Sequence, residues 1–205
     1  MGQIRIESNV NGIMGLNIIS PTIHKDKRGY FIETYSKRDF MESGIDIDFI
    51  QDNQSYSTKG ILRGLHFQKQ HPQTKLIRAI MGSIYSVAVD LRCDSLTYGK
   101  WYGVVLDSNE HKQFLIPKGF AHGFLCLSNE AIVCYKCDEF YHPDDEMGII
   151  WNDPELCIEW LGVTAKAPDD NYVLSDGSPI ILSAKDSMFK TLSELRTFEK
   201  IKSIQ

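Results

Sequence analysis

The sequence is short of long apolar runs. None of its 205 residues lies in a stretch approaching the roughly 20 consecutive apolar residues that a membrane helix needs. It is also short of positive charge: 22 Lys and Arg against 27 Asp and Glu leave a net charge of −5. That balance argues against nucleic acid or an anionic membrane surface as the main partner, so any anionic ligand has to be held by a local basic cluster. The five cysteines, Cys93, Cys126, Cys134, Cys137 and Cys157, form no even framework. A reduced, cytoplasmic setting is expected. The opening MGQIRIESNVNG lacks the apolar centre of a secretory signal, and Ile6 breaks the myristoylation pattern. No internal repeat or low-complexity segment stands out. What is present, 42% hydrophobic and 24% charged residues, is an ordinary globular composition. The length suits one domain over residues 1–205, with N-terminal strands and a C-terminal segment as its extensions.

Helix signals are scarce as well. The clearest runs from Ser36 to Gly44, with Ser36 as cap, Asp39 in an approximate capping box and Gly44 as stop. With only Phe40 and Met41 as an apolar pair, it reads as a flank. Met188 to Phe198 is a second, amphipathic candidate. The remainder reads as short strands and turns. Tyr30 to Tyr35 follows the charged turn His24–Gly29, and from Phe49 onward strands are expected at Ile61–Gln68, Leu76–Ile80, Ile84–Leu91, Trp101–Leu106, Gln113–Ile116, His122–Leu127 and Ala131–Phe140. Gly82-Ser83 offers a two-residue hairpin turn between two of them. Residues 142–179, punctuated by proline, read as an irregular stretch ending in a surface loop. The prediction is an all-β sandwich or barrel with short flanking helices.

Chemistry concentrates between Gln51 and Lys75. Arg63-Gly64-Leu65-His66-Phe67-Gln68 sets a cation, a glycine and an imidazole within six residues, and Lys75 follows one loop later. An imidazole can take a proton near neutral pH, a lysine can stabilise the oxyanion that forms, and a guanidinium matches phosphate oxygens. Together they point to carbon-acid chemistry on an anionic ligand. Pro117-x-Gly119-x-x-His122 matches half of the motif by which many cupins, small β-barrels, hold a metal. The other half needs a second histidine where Gln68 stands, so the usual ligand set is not assembled. Cys134 and Cys137, three apart on a strand, point to opposite faces and read as buried small hydrophobes. Tyr135 shares the apolar face of its strand with Ala131, Val133 and Cys137, either as packed core or as a phenol facing a cavity. His122 is either a buried, bonded histidine or a site residue. Asp186 is either a helix cap, with Ser183 as its rival, or a carboxylate that orients His66.

DKRGYFIETY, QDNQSYSTKGILRGLHFQ, KLIRAIMGSIYSVAVDLR, TYGKW, IPKGFAHGFLCLS, YKCDEFYHP, GIIWNDP and LSAKD occur in this order. Across nearly the whole chain they resemble the dTDP-4-dehydrorhamnose 3,5-epimerase family. The resemblance implies a metal-free cupin-type jelly-roll barrel, a homodimer, no cofactor and a nucleotide-linked 4-keto-6-deoxy sugar as substrate. It implies inversion of C3 and C5 of dTDP-4-dehydro-6-deoxy-D-glucose to give dTDP-4-dehydro-L-rhamnose. His66 then matches the general base, Asp186 its carboxylate partner, Lys75 the lysine beside the enolate oxygen and Tyr135 the opposing acid. Arg63 and Lys185 match diphosphate contacts. Arg28, Phe31, Glu33, Gln51 and Asn53 match positions lining the nucleotide or sugar pocket, some of them used across the dimer, and His122 matches a position near the sugar.

Two departures stand out: Phe140 occupies a position where many members have tyrosine, and residues 161–179 are longer than the usual link. Rival readings are an epimerase that inverts C3 only or takes another nucleotide sugar, a metal-dependent cupin oxygenase, and a non-catalytic sugar-nucleotide binding module. One local conflict remains. Simple alternation places Arg63 and His66 on opposite strand faces, whereas one ligand requires both. A bulge at Gly64, or service of Arg63 in a partner's pocket, would resolve it.

Overall fold

The structure is a computed structural model that describes residues 4–166 and 172–196. Its strands, in chain order, are β1 (Ile4–Ser8), β2 (Asn17–Pro21), β3 (Ile23–Asp26), β4 (Gly29–Ile32), β5 (Gln51–Thr58), β6 (Leu62–Gln68), β7 (Lys75–Met81), β8 (Ser83–Asp90), β9 (Trp101–Asp107), β10 (Gln113–Ile116), β11 (Phe120–Cys126), β12 (Glu130–Cys137), β13 (Glu146–Gly148), β14 (Val163–Lys166) and β15 (Tyr172–Leu174). One sheet runs β1-β2-β10-β7-β12-β5 and faces a second, β13-β6-β11-β8-β9. The pairings within both are antiparallel. This is the all-β barrel that the sequence predicts.

The period-2 alternation explains how the layers form. On β7 and β12, Ile77, Ala79, Ala131 and Val133 turn inward to meet Ile84, Ala88, Phe124 and Cys126 of the other sheet. The outward residues of the first sheet, among them Leu76 and Leu115, are covered by helix α1 (Lys37–Glu42), whose Phe40 is buried against them. Ser36 Oγ accepts from the Asp39 N–H to start that helix, and Gly44 ends it at φ +83°. The helix is thus the flank expected from its length, anchored by one aromatic. Outward residues of the second sheet, Val87, Val89, Ala121 and Leu125, are covered by the C-terminal part of the chain through Ile149, Trp151, Leu156 and Trp160.

Several expectations need correction. Gly82 does not turn a hairpin: β7 and β8 belong to different sheets, and Gly82 (φ +69°) carries the chain across the barrel corner. A Cβ there would lie 2.0 Å from Glu130 O, so only glycine fits. The loop expected over 161–179 instead contains the paired strands β14 and β15 with Leu174 buried, positions 167–171 lying outside the described residues, and the irregular stretch before it buries Trp151 and Trp160. Apolar residues spaced irregularly among prolines carry no periodicity, which is why this covering layer escapes pattern reading. The second helix begins only at Leu192 and is described to Arg196, since Phe189 is extended (ψ 149°); positions 197 and 198 lie outside the described residues. Cys137 is buried, but Cys134 on the outer face is only half-buried.

Candidate active site

The inward faces of β5, β6, β7, β11 and β12 are apolar along one half of the barrel and polar along the other. At the polar end they enclose a cavity of about 330 Å³ lined by Gln51, Asn53, Arg63, His66, Lys75, His122 and Tyr135. Seven of the residues singled out from the sequence therefore share one cavity, with Asp186 directly behind it. His66 rises from one sheet, Tyr135 and Lys75 from the other, so the imidazole and the phenol approach the cavity from opposed walls.

Arg63 and His66 reach the same cavity because β6 carries one residue more than β11 between them. His66 pairs with His122 and Arg63 with Phe124, a three-residue step against a two-residue step. The extra residue reverses the alternation, as a bulge does. Gly64 (φ +118°) makes it possible, since a Cβ would stand 2.6 Å from Gly123 Cα and 2.8 Å from His122 O. Arg63 is then tied down, its Nε donating to Ser57 Oγ (3.0 Å) and Nη2 to Tyr56 O (2.9 Å).

Asp186 is buried, and its Oδ1 lies 2.8 Å from His66 Nε2 while Oδ2 accepts from Gly64 N–H at 3.1 Å. Ser183 Oγ accepts from Asp186 N–H at 3.0 Å, and Asp186 is the first residue of a short 3-10 turn, Asp186–Met188, not its cap, so its carboxylate is free for the histidine. Burial pushes the Asp186 carboxyl up, but the bonds from His66, Gly64 and Ser183 outweigh it and hold it below the usual carboxylate range. An ionised carboxylate accepts from Nε2–H, which leaves Nδ1 of His66 with the lone pair that can take a proton. Phe189 packs edge-on to the imidazole, centroids 5.5 Å apart, and fixes the ring further.

Burial pushes the Lys75 ammonium down from the ordinary lysine value, against the pull of Cys137 and Glu146. Among the described residues it has no ion-pair partner. A cation in that position is set to meet an anion that arrives or develops there. Burial pushes the Tyr135 phenol up, with Cys137 and Glu146 adding to the effect, so it remains protonated and able to donate. His122 is held well below the ordinary histidine value by burial, then by Lys75 and His66, and its Nε2 lies 3.0 Å from Ser86 Oγ. It is neutral.

Not every predicted residue lies here. Arg28, Phe31 and Glu33 sit on or beside the β3–β4 hairpin, exposed and outside this chain's own cavity. Lys185 stands at the rim, paired with Glu146. Sequence reasoning missed Glu146 and Tyr141, which line the cavity and bond to each other at 3.1 Å, along with Gln73. Tyr141 belongs to the YKCDEFYHP block, whereas its neighbour Phe140 lies outside the lining. Gln68 does not face a ligand: its amide donates to His71 O and Phe140 O and accepts from His142 N–H, bracing the loops at the cavity mouth.

The fold and this grouping define a cupin-type barrel with an acid–base pocket at its open end. Residues 11–194 match the family profile of dTDP-4-dehydrorhamnose 3,5-epimerase. The Methanothermobacter thermautotrophicus protein of that name is 49% identical over 180 residues, 88% of this chain and 91% of the relative. That of Escherichia coli K12 is 42% identical over 87% of this chain and 90% of its own length. The solved dTDP-6-deoxy-D-glucose-3,5-epimerase of Legionella pneumophila, in complex with dTDP-4-keto-L-rhamnose, superimposes with a TM-score of 0.82 at 42% identity, covering 93% of both chains. The chain belongs to the dTDP-4-dehydrorhamnose 3,5-epimerase family.

Proposed function

We propose that this protein is an isomerase that inverts C3 and C5 of dTDP-4-dehydro-6-deoxy-D-glucose, giving dTDP-4-dehydro-L-rhamnose. The observation that carries the reading is the approach of His66 and Tyr135 from opposed walls of one cavity that also holds Lys75. Both target carbons flank the C4 ketone, so their protons are acidic. His66 Nδ1 takes the proton, the C–H electron pair moves toward C4, and the carbonyl oxygen becomes an enolate oxygen beside Lys75. Tyr135 then delivers its proton to the opposite face and the ketone re-forms. Two groups are required because a single base tends to return the proton to the face it left. His66 ends protonated and Tyr135 deprotonated, and exchange with solvent resets both before the second carbon is inverted. Asp186 supports the imidazolium that forms in each cycle.

Arg63 and Lys185 are assigned to the diphosphate, Gln51 and Asn53 to the nucleotide end, and His122 to the sugar. Arg28, Phe31 and Glu33 are assigned to the pocket of a partner subunit. Their exposed hairpin supports this, and it makes the working unit a homodimer. Five free cysteines and the lack, among the described residues, of a helix long and apolar enough to cross a membrane accord with action in the cytoplasm. NMR of the product from dTDP-4-dehydro-6-deoxy-D-glucose tests the assignment. Inversion at both carbons is expected; inversion at C3 alone would make the protein a monoepimerase, and an unchanged sugar would refute the reading.

A further inference from the structure

Ser55 sits on the inward face of β5 between Asn53 and Ser57, and it lines the cavity beside Val133 and Arg63. Among the described residues its Oγ is the one buried side-chain polar atom with no hydrogen-bond partner. Its neighbours are all engaged: Asn53 accepts from Gln51, and Ser57 Oγ accepts from Arg63 Nε. A buried hydroxyl without a partner destabilises a fold, and such groups are ordinarily matched. Here an apolar residue would pack against Val133 at no such cost. The Arg63 guanidinium is held by the Ser57 hydroxyl and the Tyr56 carbonyl, and Arg63 and Ser55 line the same cavity, so an anion held there by Arg63 comes within reach of the Ser55 hydroxyl.

We propose that Ser55 is a further substrate-binding residue, whose Oγ–H donates to the phosphoryl oxygen gripped by Arg63. The inference rests on the epimerase reading above, in which Arg63 holds the diphosphate. It makes the diphosphate site a guanidinium-plus-hydroxyl pair instead of a single cation, and it gives the orphan hydroxyl its partner only when substrate is bound.

Calorimetric titration of the wild-type protein and Ser55→Ala with dTDP, and separately with thymidine, tests it. Ser55→Ala is expected to weaken dTDP about tenfold, as loss of a hydrogen bond to a charged group does, and to leave thymidine affinity as in the wild type. Its Tm should be equal to or above that of the wild type, because no native hydrogen bond is lost. Equal dTDP affinity in the two proteins would overturn the proposal, as would a lowered Tm with parallel losses for both ligands, which is the mark of a packing role. A wild-type protein that fails to bind dTDP would sink the epimerase reading itself, and this inference with it.

Discussion

At Lys75 the needs of the fold and of the reaction pull apart. The ammonium is partly buried with no ion-pair partner among the described residues, and burial lowers its pKa. A base whose folded pKa is depressed costs stability wherever both states carry the proton. That cost is present below the folded pKa and disappears as pH rises through it toward the unfolded value of 10.5. Lys75→Met should therefore raise Tm by a few degrees at pH 7, with the gain over wild type shrinking toward pH 10. The same change should lower kcat by roughly a hundredfold or more through loss of oxyanion stabilisation. Thermal melts across pH, with steady-state assays, check both halves; a variant less stable than the wild type at pH 7 would contradict the assigned environment. His66, Lys75, Arg63 and Tyr135 were legible because each lies in a compact motif. Glu146 was not, since it meets the cavity only after the loop that follows β12 folds back over it, and Tyr141, though inside the YKCDEFYHP block, carries no local signal that separates it from Phe140. Asp186 was legible as an alternative only, and its 2.8 Å contact with His66 decides it.

Among the elements, the β6–β11 pair fixes the site's geometry. One extra residue at Gly64 brings Arg63 and His66 into one cavity, and backbone atoms of His122 and Gly123 leave no space for a side chain there. Gly64→Ala combines a close clash with a conformation that L-residues rarely adopt, and should cost at least about 2 kcal/mol. A lowered urea midpoint at unchanged m-value would show it, and a midpoint within error of the wild type would mean that the strands part easily. Strand alternation identified this conflict in the sequence and named the bulge as one of two remedies. It could not choose between them, because a bulge is set by partner register, which single-strand patterns do not encode. Gly82 shows the converse error: a local turn signal, correctly placed, joined strands of two different sheets.

For the whole molecule, the β3–β4 hairpin is the open question. Phe31 is 67% exposed and, among the described residues, Arg28 is bonded only to Asp26, two residues away in its own hairpin. In the homodimer proposed above, each hairpin completes the other subunit's cavity. Arg28→Ala and His66→Ala should then each be nearly inactive alone, yet mixed and re-associated subunits should recover about a quarter of wild-type activity. That fraction follows because half the pairs are mixed and each mixed pair keeps one intact pocket. No recovery, with exchange of subunits demonstrated by sedimentation, would place Arg28 outside the partner's site. The barrel itself was legible from many short strands and few helices. The burial of Trp151 and Trp160 under an irregular layer was not, because aperiodic packing leaves no mark on local sequence.

Deuterium wash-in from D2O into the 4-keto sugar nucleotide, followed by NMR, tests the two-sided proton transfer most directly. The wild-type protein should label C3 and C5 with inversion at both. His66→Ala should lose wash-in and inversion together, by roughly 10²- to 10⁴-fold. Tyr135→Phe should keep wash-in, because the base still exchanges its proton with solvent, while inversion falls by a comparable factor. Wash-in that survives loss of His66, or inversion that survives loss of Tyr135 at the wild-type rate, would contradict the account.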